Sequence, residues 1–319
     1  MCGIAGVIGR GDETAYGRML QTLVRRGPDQ EGAWLGGGAA LLHRRLSVVD
    51  LQNGRQPMVL TWKNETYVLV YNGELYNTDE LRRELHALGH GFTSHSDTEV
   101  LLHAYAEWGK KCVDRFNGIF AFGIYEEASG RLFLARDRIG VKPLFYAESG
   151  GAFLFASEIK TILAYAKIEA RLAPEGVCEV MLLGPGRTPG CGVFEGIREV
   201  RPGWRGCYAD GRLSLEPYWT LTDGPHPDDL ETTITTVRDL VTDAIRRQLV
   251  SDVPVGCFLS GGLDSSVLSA VAARYLAEKG EALNTFSVTY RDNDRYFRAT
   301  KFQPSSDDEY IGLVTDALG

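Results

Sequence analysis

Between residues 201 and 227 the chain carries Pro202, Gly203, Gly206, Gly211, Pro217, Gly224, Pro225 and Pro227. Neither a helix interior nor a central strand tolerates that density of proline and glycine. This stretch constrains the fold more than any other, because the apolar pattern differs on its two sides. A chain of 319 residues fits two ordinary domains, and the junction is expected here.

The first part reads as strands with a few helices. Gly3–Ile8 is a short apolar run. Tyr67–Tyr71 is another, ending at the turn-type pair Asn72-Gly73. Residues 119–125 alternate Phe120, Phe122 and Ile124 against Ala121, Gly123 and Tyr125, the two-residue period of a strand. A Ser129-Gly130 turn leads into Arg131–Ala135, so these two runs predict a hairpin, and Phe153–Ala156 adds a further strand. Met19, Leu20, Leu23 and Val24 fit one helix face before Gly27-Pro28. Leu81, Leu85 and Leu88 repeat at helical spacing behind Asn77 as N-cap, with Glu80 three residues on. Ser96-Asp97-Thr98-Glu99 reads as a capping box that opens the helix of Leu101, Tyr105 and Trp108. Residues 184–196, with five glycines and two prolines, read as a loop. Together these predict a layered α+β domain.

Beyond the junction the period changes. Leu230, Ile234, Val237, Val241, Ile245 and Leu249 trace a helix. Val253–Leu259 reads as a strand, Ser260–Ser266 as a Gly/Ser turn, Val267–Lys279 as a helix closed by Gly280, and Thr285–Tyr290 as a second strand. Strand, helix, strand is a βαβ unit and predicts a parallel, doubly wound sheet.

Composition narrows the function. The net charge is −8, and the 34 basic residues are scattered rather than clustered along a phosphate track, so no nucleic-acid partner is expected. No run of about 18 uncharged apolar residues exists, so no membrane partner is expected either. The start, Met1-Cys2-Gly3-Ile4-Ala5-Gly6, has neither a basic n-region nor a long apolar core, and no signal peptide is expected. The six cysteines form no C-x-x-C pair. A chain this long buries enough surface without disulfide staples, and a cytoplasmic setting is expected.

Cys2 stands apart from the other cysteines. If Met1 is removed, its thiol and its own α-amine sit on one residue. An α-amine titrates near ~7.7–8.0, so it can serve as a base near neutral pH. The start M-C-G-I-A-G-V resembles that of class II glutamine amidotransferases, the cysteine branch of the N-terminal nucleophile hydrolases. Four further segments resemble the family in order: Arg26-Gly27-Pro28-Asp29, His43-Arg44-Arg45-Leu46-Ser47, Tyr71-Asn72-Gly73-Glu74-Leu75-Tyr76-Asn77, and Ser96-Asp97-Thr98-Glu99-Val100. The resemblance implies an αββα sandwich with Cys2 as nucleophile. It implies a glutamine site of Arg45, Val48, Asn72, Gly73, Glu74 and Asp97, with Arg45 on the α-carboxylate, Asp97 on the α-ammonium and Glu74 as a similar partner. A guanidinium suits a carboxylate through two parallel hydrogen bonds. The neighbouring Arg44 reads as a surface residue, and Asp97 also complements a helix dipole. Asn72 and Gly73 can donate to an oxyanion, although Asn-Gly is equally a hairpin-turn pair. The segment from Asp137 to Tyr146, with Lys142, also occurs in the family and reads as structural. His86 and His90, four apart at a helix end, lack the pattern of a helical zinc site.

Val255–Ser266 places Ser260-Gly261-Gly262-Leu263-Asp264-Ser265-Ser266 between a strand and a helix. Backbone N–H groups of such a turn form an anion cradle, and the G-K-[ST] ending of a P-loop is missing. The string resembles the pyrophosphate loop of ATP pyrophosphatases. That likeness implies ATP at Phe258, Ser260, Gly261, Gly262, Asp264, Ser265, Ser266 and Val288, with Mg²⁺ on Asp264. A glutaminase followed by this loop resembles the glutamine-hydrolysing asparagine synthetase B family across essentially the whole chain. The implied architecture is a glutaminase domain over 2–212, a linker over 213–227, and an incomplete α/β doubly wound domain, adenine nucleotide alpha hydrolase-like, over 228–319. The implied chemistry joins glutamine, aspartate and ATP: ammonia released at Cys2 amidates aspartate activated as an acyl-adenylate. The resemblance also allows a homodimer. The family's later acidic loop, second magnesium-binding acid and catalytic lysine are not found before Gly319, so a partial member is expected. An uncoupled glutaminase and a non-catalytic nucleotide-binding remnant are the alternatives.

Overall fold

The structure, a computed structural model, describes residues 1–9, 12–165, 168–184, 186–301 and 305–318. These fall into two compact units, Met1–Asp223 and Gly224–Gly319.

The first unit holds strands β1 (Gly3–Gly9), β2 (Gln30–Gly36), β3 (Ala39–Arg45), β4 (Met58–Trp62), β5 (Glu65–Leu75), β6 (Gly118–Glu126), β7 (Arg131–Arg136), β8 (Phe145–Ser149), β9 (Ala152–Ala156), β10 (Ile197–Glu199), β11 (Trp204–Ala209) and β12 (Arg212–Pro217). Its helices are α1 (Glu13–Thr22), α2 (Thr78–Ala87), α3 (Asp97–Trp108), α4 (Cys112–Arg115), α5 (Ile159–Leu163) and α6 (Pro174–Cys178). The strands form two six-stranded sheets in the orders β10-β8-β9-β1-β3-β2 and β12-β11-β7-β6-β5-β4.

Side-chain alternation sorts the core into three layers. From β1, Ile4 and Ile8 point between the sheets with Leu41 of β3, Val68 and Val70 of β5, and Phe153 and Phe155 of β9. The alternate residues of β1 and β3, Ala5, Val7, Ala40 and Leu42, face Met19, Leu20 and Leu23 at α1 and Ile162 of α5. On the second sheet, Leu69, Tyr71, Phe122 and Ile124 face Leu81 and Leu85 of α2 and Leu101 and Leu102 of α3. The result is helix, sheet, sheet, helix, the expected αββα sandwich. β1 is buried on both faces, which is why its sequence is a continuous apolar run. Gly6 has no alternative on that strand: a Cβ there would lie 2.2 Å from the Phe155 ring.

Local expectations meet several corrections. Asn72-Gly73 is not a turn, because β5 runs on through both to Leu75, opposite Ala121 and Phe120 of β6. Asn77 sits at the N-cap of α2, but its side chain makes no capping bond. It donates to the Arg115 carbonyl and accepts from the Asn117 N–H instead. Ser96 does cap α3 by accepting from the Glu99 N–H, yet the Glu99 carboxylate turns to Thr93 and Ser94 rather than back to Ser96. The stretch expected as a linker begins inside β12, which pairs with β11 along Trp204–Ala209.

The second unit contains α7 (Leu230–Arg247), β13 (Gly256–Phe258), α8 (Leu263–Ala277), β14 (Asn284–Phe286), α9 (Asn293–Tyr296) and α10 (Asp307–Leu318). β13 and β14 pair in parallel, Gly256 opposite Asn284, so the βαβ reading holds. Both strands are shorter than expected. Pro254 has no N–H to give a ladder, and after Leu259 the chain leaves for the glycine turn. α8 starts four residues early, at Leu263, because the hydroxyls of Ser265 and Ser266 donate to the Gly262 carbonyl and hold the first turn. Gly280 closes the helix end with φ +76°.

Gly6→Ala is expected to destabilise the first unit by ~1–3 kcal/mol, since the inter-sheet layer cannot yield without off-rotamer shifts. The midpoint of that unit's denaturant transition measures this. An unchanged midpoint would mean that Phe155 has room to move.

Candidate functional site

The inter-sheet face of three strands changes character at one end. Along β5 the inward positions run Val68, Val70, Asn72, Glu74; along β3 they run Ala39, Leu41, His43, Arg45. β1 is antiparallel to β3, with Gly3 opposite Arg44, so Cys2 meets the polar end. The same alternation sends Arg44 to the other face, where it forms an ion pair with Glu31.

Those polar ends line a cavity of about 160 Å³. It is close to the ~150 Å³ known to admit a benzene-sized molecule. The structure brings together every residue assigned to glutamine from sequence: Cys2, Arg45, Val48, Asn72, Gly73, Glu74 and Asp97 all line this one cavity. Met1, Leu46, Val49, Gln56, Tyr71, Thr98 and Lys142 complete the wall.

Cys2 is clamped from behind. Arg26 Nε donates to the Cys2 carbonyl at 2.8 Å and Arg26 also reaches Glu158. The thiol lies 3.6 Å from the Leu46 carbonyl. Asp29 holds that loop by accepting from the Ser47 N–H at 2.7 Å. Gly27 sits so close to β3 that a Cβ would fall 2.2 Å from the Arg44 carbonyl carbon. Burial pushes the Cys2 thiol above its ordinary range. Burial also lowers the amine at the chain's amino end.

Among the described residues, Arg45 has no carboxylate in hydrogen-bond contact. Its two terminal nitrogens donate to Gln30 Oε1 and to the carbonyls of Val49, Asp50 and Leu51 at 2.7–3.2 Å. The guanidinium is thus fixed in a ring of neutral acceptors, leaving its positive charge for an anionic ligand. Asp97, in the first turn of α3, accepts from the Tyr71 hydroxyl at 2.8 Å and the Leu75 N–H at 3.1 Å. Burial raises its carboxyl despite those bonds. Glu74 is raised by burial too, and Lys142 opposes the shift.

Asn72 departs from the rule that buried polar groups find partners. The residue is 1% exposed, and its Nδ2 has no hydrogen-bond partner among the described residues. Gly73 adds a second donor by strand geometry. Tyr71, Gly73 and Leu75 direct their N–H groups to the same edge of β5. Gln56 Oε1 takes the N–H of Tyr71, and Asp97 takes that of Leu75. The N–H of Gly73 lies between them, on the cavity side. His43 braces the strand from within by lying 3.2 Å from the Tyr71 carbonyl, and burial holds its titration down to about 3.

Sequence reasoning missed Tyr71 and Gln56 as supports, because their roles arise from partners 15 or more residues away. It also read Lys142 as purely structural. His90 packs on His103 at 2.8 Å and on Glu107 at 3.1 Å, away from this cavity; His86 lies in the last turn of α2.

In the second unit, Gly262 is the N-cap of α8 and supplies no side-chain cap. The N–H groups of that helix start are therefore open to an anion. Gly261 turns at φ +78°, and the Ser260 and Ser265 hydroxyls lie 3.0 Å apart beside it. Asp264 sits in the helix's first turn. The donors fit phosphate groups, and a single carboxylate fits a magnesium ion that phosphates help to hold. Phe258, which packs 6.4 Å from Phe286, and Val288 are exposed.

Comparison with known proteins agrees with this division. The family described as glutamine amidotransferase domain matches residues 1–219, and the family described as asparagine synthase matches residues 236–319. The chain is 49% identical over 325 aligned residues to asparagine synthetase [glutamine-hydrolyzing] 3 of Bacillus subtilis (strain 168), covering 100% of this chain and 53% of the relative. It is 35% identical to asparagine synthetase [glutamine-hydrolyzing] 1 of the same organism, over 91% of this chain and 46% of that one. The chain thus spans about half the length of these relatives. Among solved structures, glutamine phosphoribosylpyrophosphate amidotransferase from B. subtilis, complexed with ADP and GMP, has a similar fold. The TM-score is 0.54 at 19% identity, over 94% of this chain and 69% of that one.

Proposed function

We propose a function from one premise: this chain belongs to the glutamine amidotransferase family over residues 1–219 and continues as asparagine synthase sequence over residues 236–319. It hydrolyses glutamine at Cys2 and, in the whole protein, hands the ammonia to aspartate.

The observation that carries the first half is Asn72. A buried amide donor without a partner costs about 1–3 kcal/mol in the empty site. That cost is offset when an oxyanion forms beside Cys2, so the donor favours the transition state over the free enzyme. Arg45 takes the α-carboxylate of glutamine, Asp97 its α-ammonium, and Val48 and Glu74 flank the side chain. With Met1 removed, the amine of Cys2 accepts the thiol proton and the sulfur attacks the amide carbon. Asn72 Nδ2 and the Gly73 N–H hold the negative oxygen. The amine returns the proton to the leaving nitrogen, ammonia departs, and a γ-glutamyl thioester remains. Water, deprotonated by the same amine, opens the thioester and releases glutamate. Atoms balance as glutamine plus water giving glutamate plus ammonia.

The second half rests on the names of the relatives and on the anion cradle at α8. Ser260, Gly261, Gly262, Ser265 and Ser266 would hold the phosphates of ATP, Asp264 would hold Mg²⁺, and Phe258 and Val288 would border the adenosine. Bound there, ATP would activate the β-carboxylate of aspartate for attack by ammonia. A cytoplasmic setting is supported by the six cysteines, all of them free. Assembly as a homodimer rests on the family resemblance.

Three variants test the glutaminase. Cys2→Ala is expected to abolish glutamate release. Asn72→Ala should lower kcat by roughly 10²–10³, the usual effect of losing an oxyanion donor. Asp97→Asn should raise KM for glutamine about tenfold or more with kcat little changed, because the α-ammonium is the same in ground and transition states. Glutamate release by Cys2→Ala at the wild-type rate would refute the nucleophile.

A second measurement separates the activities. Given glutamine, aspartate and Mg-ATP, residues 1–319 are expected to release glutamate and form no asparagine, since Phe258, Leu263, Phe286 and Val288 around the nucleotide loop are exposed. Glutamate, asparagine and pyrophosphate are assayed separately. Asparagine formed in step with glutamate would show that the loop works as it stands.

A further inference from the structure

Lys142 is a buried lysine that lines the Cys2 cavity. Holding a lysine at 7% exposure has a cost that nearby charge offsets. The segment around it is built to keep it there. The buried carboxylate of Asp137 accepts from the N–H groups of Phe120, Val141 and Lys142 at 2.9–3.2 Å. The buried guanidinium of Arg136 donates to the carbonyls of Lys142, Gly140 and Val200. Gly140 makes the bend with φ +72°. Two buried charged side chains thus fix the backbone of one exposed-type residue and turn it inward.

The cavity wall carries four side-chain charges besides the thiol: Arg45 and Lys142, Glu74 and Asp97. A zwitterionic amino acid uses one of each sign, and Arg45 and Asp97 fill those roles. Lys142 and Glu74 remain, beside the amino end of the chain.

We propose that Lys142 is a positioning residue for the thiol chemistry: held at the cavity wall by Asp137 and Arg136, its ammonium group balances Glu74 and faces the chain's amino end. This rests on the glutaminase reading above. The groups around the amine are Cys2, Arg26, Lys142 and Glu74. Those around Glu74 are Lys142, Asp97 and the amine. Burial is the main influence on both, lowering the amine and raising the carboxyl; Lys142 lowers each. Removing its charge therefore moves both titrations upward. An amine that holds its proton to higher pH is a poorer base near neutrality. When Met1 is removed the amine passes to Cys2, which lines the same cavity.

The test compares wild type, Lys142→Met and Lys142→Arg, with melting temperatures recorded to establish folding. In Lys142→Met the acid limb of kcat/KM for glutamine should move up by about one pH unit, a roughly tenfold loss below the limb with little change on the plateau. Lys142→Arg should keep the wild-type limb. An equal loss at all pH values, or an unmoved limb, would overturn the proposal, as would an Arg variant that behaves like Met. A second readout does not need turnover. Alkylation of Cys2 by iodoacetamide, followed by mass on the amino-terminal peptide, should be about tenfold slower near pH 7 in Lys142→Met. If wild type releases no glutamate, the glutaminase reading fails while the alkylation profile still decides the role of Lys142. Equal alkylation profiles in wild type and Lys142→Met would contradict it.

Discussion

The structure depends on a change of polarity along the space between two sheets. For most of its length that space is filled by Ile4, Ile8, Leu41, Val68, Val70, Phe153 and Phe155. At one end the same inward positions become Cys2, Arg45, Asn72 and Glu74. A strand repeats every two residues, so these side chains reach the cavity because the apolar ones before them reach the core. A one-residue slip of β3 would bury Arg44 and send Arg45 outward. Register in the core and chemistry in the cavity are thus one constraint.

That constraint explains the second tier of residues. Asp97 lies on a helix, yet its carboxylate is tied to β5 through the Tyr71 hydroxyl and the Leu75 N–H. Arg45 is tied to its loop through three carbonyls. In the cavity wall, Asn72 Nδ2 is buried and has no hydrogen-bond partner among the described residues. Polar atoms left without partners in a well-packed wall are where a ligand makes its bonds.

Much of this was legible in the sequence, and the reason is periodicity. The runs at Gly3–Ile8, 119–125 and 131–135 announce strands of the sandwich, and the order of short motifs around Cys2, Arg45, Asn72 and Asp97 points to residues that the fold gathers in one cavity. What failed was local chemistry overridden by distant partners. Asn72-Gly73 has turn composition, but nine residues of β5 pair with β6 and carry the strand through it. Asn77 has a capping side chain, but Arg115 and Asn117 claim it. Lys142 stands in a segment with no periodic signal, and only the burial of Asp137 and Arg136 turns it inward. In the second unit the helix at Leu263 begins early because serine hydroxyls stabilise its first turn, a contact that a Gly/Ser run does not advertise.

On the proposed mechanism, the thiol and the α-amine of one residue act together in this cavity. The direct measurement is the mass of the amino-terminal peptide from active protein quenched during glutamine turnover. The expected peptide begins at Cys2 and carries a γ-glutamyl group on that residue. Full turnover by protein that retains Met1, or an acyl group found on any other residue, would contradict it.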